Sequence, residues 1–389
     1  MTRQKNYLAA PDVLRVFCIF FIAWYHIWQL SWLNPGLTVG SVYVNLQQII
    51  RNGYMLVDIL LCLSGFLLFL PYGRFMAGRG LWPEAAEFYK KRALRILPAY
   101  WFAVFLILFA YDLPNGVYAS SGAMWQDLIT HLTFTHNLTR QTYYFTNLDG
   151  VLWTMAVEVQ FYFIFPLLAR AFVKRPLLTW MCMVLAALVC RARILLLQDT
   201  TFWVSQLPCM LDVYALGMLA AYLFTKLEDR PLHPAVRRLI TLAAVFCLLG
   251  ILWMLYKQPI SDAAYVRCCQ MIRRFPLAVF GAGFLLCGSL APVRLSKILG
   301  NPATRFLSDI SYNYYIWHQF LARRLVEWNF PAHLSDTPNF DYEQPWQTRY
   351  TWVCFLAAFV AAVLVTYLIE KPTYRWGAKK LFKKGKVSA

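Results

Sequence analysis

Gly53-Tyr-Met-Leu-Val-Asp58-Ile-Leu-Leu-Cys-Leu-Ser64-Gly65-Phe-Leu-Leu-Phe-Leu-Pro-Tyr72 is an almost unbroken apolar run with a single charge, Asp58. A bilayer core about 30 Å thick needs about 20 such residues in a helix rising 1.5 Å per residue. Nine more runs follow the same pattern, roughly 13–33, 96–113, 151–169, 177–190, 202–225, 239–256, 275–293, 305–325 and 350–369. The fifth in chain order, 177–190, is the weakest, because Arg191 and Arg193 cut it short. Only helices and closed barrels satisfy their backbone groups in lipid, and no ten-residue alternation of a barrel strand is present. The sequence therefore reads as an all-α, polytopic integral membrane protein of about ten transmembrane helices.

Composition agrees. The 389 residues are 60% hydrophobic and 14% charged, with a mean hydropathy of +0.48. Soluble domains carry about 25% charged residues, so a water-soluble enzyme and a disordered chain are both excluded. The formal net charge of +18 admits nucleic acid as a partner until the charges are placed on the chain. With the N-terminus inside, the cytoplasmic segments hold 26 Lys and Arg and the outer ones 11. That is the bias of a membrane protein. It places both termini in the cytoplasm, including the tail Lys379-Lys380-Leu381-Phe382-Lys383-Lys384, and explains the charge without nucleic acid.

Two outer loops are long, about 114–150 and 326–349. There is no repeat or low-complexity segment, and the expectation is a single membrane domain over 1–389 with no soluble appendage. No secretory signal is evident, because Thr2 to Pro11 is short and polar. The ten cysteines form no CxxC pair and no Cys/His ligand spacing, and most lie in apolar runs. No metal site is expected. Cys268 and Cys269 are assigned to a loop.

An ionisable side chain at membrane depth costs about 2.5–3.5 kcal/mol on insertion scales and marks a candidate site. The candidates are His26, Asp58, Glu158, Asp212 and His318. At 1.5 Å per residue, His26, Glu158 and His318 each fall about 20 Å from the inner face, on three different helices. Eleven helical steps lead from Arg15 to His26, three turns plus about 20°, so the two share a face about 16 Å apart. An Arg at the cytoplasmic mouth and an imidazole deeper in suit a long donor with phosphates at one end and a reactive group at the other. Arg92 and Arg95, at i and i+3, open the third run from inside, and guanidinium pairs grip phosphate. Each feature also has a bland reading. Arg15 can snorkel to lipid phosphate, and His26 or Glu158 can satisfy an interhelical hydrogen bond. His318 can pack within its aromatic run, Asp58 and Asp212 can be structural, and Ser64-Gly65 can be a small-residue helix contact.

Taken in order, these segments resemble the membrane-bound acyltransferase family 3 nearly end to end. The matching stretches are the Arg15 to His26 spacing, Val57 to Phe66, Arg92-Ala-Leu-Arg95-Ile-Leu-Pro98, and Leu152-Trp153-Thr-Met-Ala-Val-Glu158-Val-Gln160-Phe-Tyr162. Ser311-Tyr312 to Trp317-His318 and Glu370-Lys-Pro372 complete the set. The resemblance implies transfer of an acyl group, acetyl first, from cytoplasmic acyl-CoA to a hydroxyl of an extracytoplasmic or membrane-associated glycan or related acceptor, at the plasma or inner membrane. Acyl-CoA is then a substrate, and no permanently bound cofactor is implied. The family's functional positions fall on Arg15, His26, Arg92, Arg95, Trp153 and Glu158. Val159 stands where many members have a second Glu, which argues against a paired-carboxylate mechanism. The C-terminal esterase-like domain of longer relatives has no counterpart, so transfer is expected to finish within the membrane domain.

The resulting expectation puts donor phosphates on Arg15, Arg92 and Arg95 at the inner mouth of a tunnel that ends beside His26. His26 acts as general base, with its ordinary pKa near 6.5, and Glu158 orients its ring and stabilises the imidazolium. An acyl-histidine relay is the alternative chemistry. Trp153, Ser64, Tyr162, His318 and Asp58 are expected to line the site. The competing class is a proton-coupled transporter or exporter of a lipid-linked sugar, with His26, Glu158 and His318 as a proton relay. No halves with broken helices favour it. Oligomeric state is not legible.

Overall fold

The computed structural model describes residues 7–197 and 199–382. Lys383 and Lys384 of the basic tail lie outside the described residues. Ten long helices carry the fold: α1 Ala9–Ser31, α2 Leu56–Met76, α3 Ala85–Ile107, α4 Trp153–Lys174, α5 Pro176–Ile194, α6 Leu211–Leu227, α7 Pro234–Tyr256, α8 Ala263–Ser289, α9 Pro302–Glu327 and α10 Trp346–Val365. Among the described residues, nine helical segments are long and apolar enough to cross a membrane. Helix α9, the ninth predicted run, is long enough but more polar. It carries Ser308, Ser311, Asn313, His318 and Gln319, all buried. The chain is an all-α polytopic membrane protein with one small antiparallel hairpin, Gly36–Val39 with Val42–Asn45.

The departures from expectation are local and have physical reasons. Arg191 does not end α5. Its side chain is buried and bonded to Asp212, so the helix continues to Ile194. Cys268 and Cys269 lie in α8 rather than in a loop, since that helix starts at Ala263. Arg274, counted among outer loop charges, is buried in the same helix against Asp58. Two helices contain π turns: Leu108–Asp112 continues α3, and Thr366–Glu370 joins α10 to a last helix, Lys371–Phe382.

The chain divides into two compact units. Unit 1 runs up to Trp28 and adds Asn34–Trp82 and Ile164–Ser308; unit 2 comprises Gln29–Leu33, Pro83–Phe163 and the chain from Asp309 onward. In unit 1, α2 and α6 meet backbone to backbone. A Cβ on Gly65 would lie 2.4 Å from the Tyr214 carbonyl oxygen, and one on Gly217 would lie 2.0 Å from that of Cys62. The glycines are therefore required by the contact itself. Asp58 to Arg274 (2.9 Å) ties α2 to α8, and Arg191 to Asp212 (3.1 Å) ties α5 to α6. Placing such ions in an apolar interior is tolerable only in pairs.

In unit 2, polar bonds of α9 join its neighbours. The Tyr312 hydroxyl donates to the Ile96 carbonyl of α3 (3.1 Å), and the Tyr350 hydroxyl of α10 donates to the Ala322 carbonyl (2.7 Å). Asn313 Nδ2 donates to Thr366 Oγ1 (2.8 Å) and to Glu370 Oε2 (2.7 Å), both inside the second π turn. These bonds account for the polarity that lowers the hydropathy of α9.

Candidate functional site

In unit 1, Arg15 sits one turn beyond Asp12 on α1. Its Nη1 donates to Ser308 Oγ (2.9 Å) and lies 3.4 Å from Asp12 Oδ1, to which Ser308 also donates (2.7 Å). The Tyr7 hydroxyl donates to the other Asp12 oxygen (2.7 Å), and Arg305 lies over the Tyr7 ring at 4.1 Å. Burial, with the Asp12 carboxylate beside it, raises the Tyr7 hydroxyl to about 12 and keeps it a donor. Arg15 thus belongs to a small charged cluster with a carboxylate, two hydroxyls and a second guanidinium. Farther along α1, His26 is partly exposed, its ring 4.8 Å from that of Tyr25, which in turn lies 5.3 Å from Tyr54. Asp58 and Ser64 belong to α2; Asp58 is bound to Arg274, and Ser64 is partly exposed beside the Gly65 contact.

In unit 2, α3 and α4 bring three predicted residues together. The Tyr162 hydroxyl donates to Glu158 Oε1, one turn back along α4. The Arg92 guanidinium lies over the same tyrosine ring at 5.9 Å and over Phe88 at 5.8 Å. Tyr162 is almost fully buried, whereas Glu158 and Arg92 are partly exposed and Arg95 is open. The result is a chain from cation through aromatic hydroxyl to carboxylate, with the cations at the polar start of α3. A guanidinium stacked on aromatic faces keeps its N–H edge available for an anion.

Trp153 opens α4, partly exposed, with its ring 6.3 Å from that of Tyr143. His318 is buried and its Nδ1 lies 2.6 Å from the Tyr315 carbonyl, one turn back on α9. The Tyr315 hydroxyl accepts from Thr154 (2.9 Å). This local bonding is what a packed histidine shows.

A polar cluster that the hydropathy reading passed over lies in the 114–150 loop of unit 2. Asp127 and His131 sit one turn apart on the helix Ser121–Leu132, with Oδ1 and Nδ1 separated by 3.1 Å. Asp127 Oδ2 accepts from the Tyr118 hydroxyl, the Thr146 hydroxyl and the Asn147 N–H, each at 3.1 Å. His131 stacks on His136 at 3.9 Å, and both rings are buried. Burial raises the Asp127 carboxyl, but His131 and the surrounding donors outweigh it and hold it below the usual range. Burial, followed by the charge of His131, holds the His136 imidazole well below its ordinary value. Asp149, which caps the short turn before α4, is pushed up to about 7 by burial. The legible signal would have been the Asp-x-x-x-His spacing at i and i+4 on a short helix. Among the described residues no group of three or more His, Cys, Asp or Glu could hold a metal ion.

Known proteins supply independent evidence. The acyltransferase domain model of family 3 matches residues 8–371. ORF330 of Acidianus two-tailed virus, whose name marks it as an inferred acetyltransferase, is 25% identical over 333 residues, covering 83% of this chain and 86% of that protein. YrhL of Bacillus subtilis (strain 168), named as an inferred peptidoglycan O-acetyltransferase, is 25% identical over 179 residues, 43% of this chain but 24% of its own length. Nodulation protein 10 of Rhizobium leguminosarum bv. viciae is 28% identical over 172 residues, 40% of this chain and 43% of that one. No solved structure matches. With a family match that takes in all ten long helices, the chain belongs to the membrane-bound acyltransferase family 3 and is a multi-pass membrane acyltransferase.

Proposed function

We propose that this protein moves an acyl group, acetyl in the first place, from acyl-CoA to a hydroxyl of a glycan or related acceptor at the plasma or inner membrane. The observation that carries this reading is the chain Arg92–Tyr162–Glu158 within unit 2. It couples a cation suited to a donor phosphate with a carboxylate on a helix that carries one of the family-like stretches, and a purely structural scaffold has no need of it.

In this reading Arg92 and Arg95 bind the anionic end of coenzyme A, with Arg15 as a further cation. His26 is the general base. Its imidazole nitrogen takes the proton of the acceptor hydroxyl as that oxygen attacks the thioester carbonyl. The tetrahedral intermediate collapses with loss of the coenzyme A thiolate, which receives the proton from the imidazolium. Glu158, held by Tyr162, is the carboxylate that unit 2 contributes. Trp153 and Ser64 line the acceptor or donor path, whereas Asp58 and His318 keep the helices in place.

The test is acyl transfer in proteoliposomes given acetyl-CoA, with His26→Ala, Arg92→Ala and Arg15→Ala beside the wild type. Loss of transfer in His26→Ala with donor binding retained supports the base role; transfer at the wild-type rate refutes it. Proton-driven flux of a sugar substrate, without any Arg92-dependent binding of coenzyme A, replaces the enzyme by a transporter.

A further inference from the structure

The C-terminal end of α5 and the segment before α6, both in unit 1, bring two thiols together. Cys190 lies one turn before Ile194, where α5 ends. Cys209 belongs to the turn Leu207–Met210 that leads into α6. Their Sγ atoms are 3.2 Å apart, and they share a hydrophobic cluster with Ile194, Val204 and Met271. Neither the acyl-transfer reading nor the family motifs involve either residue.

The backbone at this point is held firmly. Arg191, the residue after Cys190, donates to the Cys209 carbonyl (3.1 Å) and grips Asp212. Arg274 of α8 donates to the same carbonyl (3.3 Å) and to that of Val204 (2.9 Å). Two guanidiniums from two helices therefore converge on the peptide that carries one of the thiols, and one of them is the chain neighbour of the other thiol. The sulfurs meet because of this clamp, so their contact does not depend on a mobile loop. The Lys and Arg bias puts this end of α5 on the outer side of the membrane, and outer compartments are where disulfides form and persist.

We propose that Cys190 and Cys209 form a disulfide that joins the outer end of α5 to the entry of α6. The oxidant is the disulfide of an extracytoplasmic thiol–disulfide oxidoreductase. Cys190, the more exposed of the two, attacks one sulfur of that disulfide as thiolate and releases the first oxidant thiolate. Cys209 then attacks Cys190 Sγ and releases the second. The chain gives up two electrons and two protons, and the oxidant leaves as a dithiol. Cys268, which packs against the same cluster, is the nearest competitor as a partner.

The experiment uses the full-length chain in the membranes where it is made. Membranes are denatured in detergent with excess light N-ethylmaleimide, then reduced and treated with the isotopically heavy reagent, and each cysteine is read by peptide mass spectrometry. The expected result is heavy label on more than half of Cys190 and of Cys209, light label on Cys182 and Cys247, and a Cys190–Cys209 linked peptide in the non-reduced digest. Light label on most of Cys190 and Cys209 overturns the proposal. In Cys190→Ser, Cys209 is expected to turn light; if it stays heavy, it pairs elsewhere and the proposal fails. Should that variant not accumulate, Cys268→Ser decides: heavy label at 190 and 209 is retained if they pair with each other and lost if Cys268 is the partner.

Discussion

The Tyr162 hydroxyl donates to Glu158 across one turn of α4, while the ring of the same tyrosine faces the Arg92 guanidinium. A single side chain therefore touches both the cation and the carboxylate that family resemblance singles out. Tyr162→Phe separates the two contacts, because it keeps the ring and removes the hydroxyl. A hydrogen bond to a charged group is worth about 1.5–3 kcal/mol, so kcat for acyl transfer is expected to fall about 10- to 100-fold with donor affinity nearly unchanged. Steady-state kinetics with varied acetyl-CoA, beside direct donor binding, checks the split.

Arg92 is expected to behave in the opposite way. Arg92→Ala removes a proposed phosphate ligand and should raise the KM for the donor about tenfold or more, with a smaller effect on kcat. Arg92→Lys should not restore it, because a lysine keeps the charge but loses the forked guanidinium edge that grips phosphate bidentately. Coenzyme A titration of the two variants is the measurement.

Asp58, a site-lining candidate from its depth and its family-like stretch, is paired with an equally buried Arg274. Asp58→Asn and Arg274→Met each leave one buried charge uncompensated and should destabilise the protein by about 3–5 kcal/mol. The double substitution Asp58→Leu with Arg274→Met should recover most of that loss. Thermal unfolding in detergent distinguishes this from a direct role in transfer, in which the double variant folds but stays inactive.

The outer loop carries a pH dependence of defined sign. The folded-state pKa of Asp149 is raised to about 7 by burial, above its unfolded value of about 4. Its contribution is fully present below pH 4 and is lost as pH rises towards 7, because the unfolded chain ionises first. Asp127, held below the usual range, contributes in the opposite sense, with stability lost as pH falls through its folded value. Asp149→Asn should therefore gain stability relative to wild type at pH 8, by a few kcal/mol at most, and much less at pH 4. Unfolding temperatures at the two pH values test this.

Hydropathy located the helices well because lipid leaves a long apolar helix few alternatives. It located their ends less well, and at two of them a buried partner is the cause. Arg191 reads as a stop signal until Asp212 is beside it, and Arg274 reads as a loop charge until Asp58 is beside it. A one-dimensional profile scores a paired ion as though it were a lone one. Arg92 was legible from its spacing with Arg95 and Glu158 from its depth, whereas the tyrosine that touches both was legible only as a motif position, without its role. The cluster around Asp127, His131 and His136 escapes hydropathy, because its Asp-x-x-x-His spacing lies on a short helix between the apolar runs that hydropathy picks out.

The π turn Thr366–Glu370 has a consequence for the register of everything after it. A π turn holds one residue more than an α turn, so the helix Lys371–Phe382 is rotated by about 100° from where an uninterrupted helix would carry it. Deleting one residue within 366–370 would restore the ordinary winding at the expense of the packing of Lys371–Phe382 on α3, where Gly377 meets Leu94. The carboxylate of Glu370 would then swing away from Asn313, and the whole amphipathic end of the chain would present a different side to its surroundings.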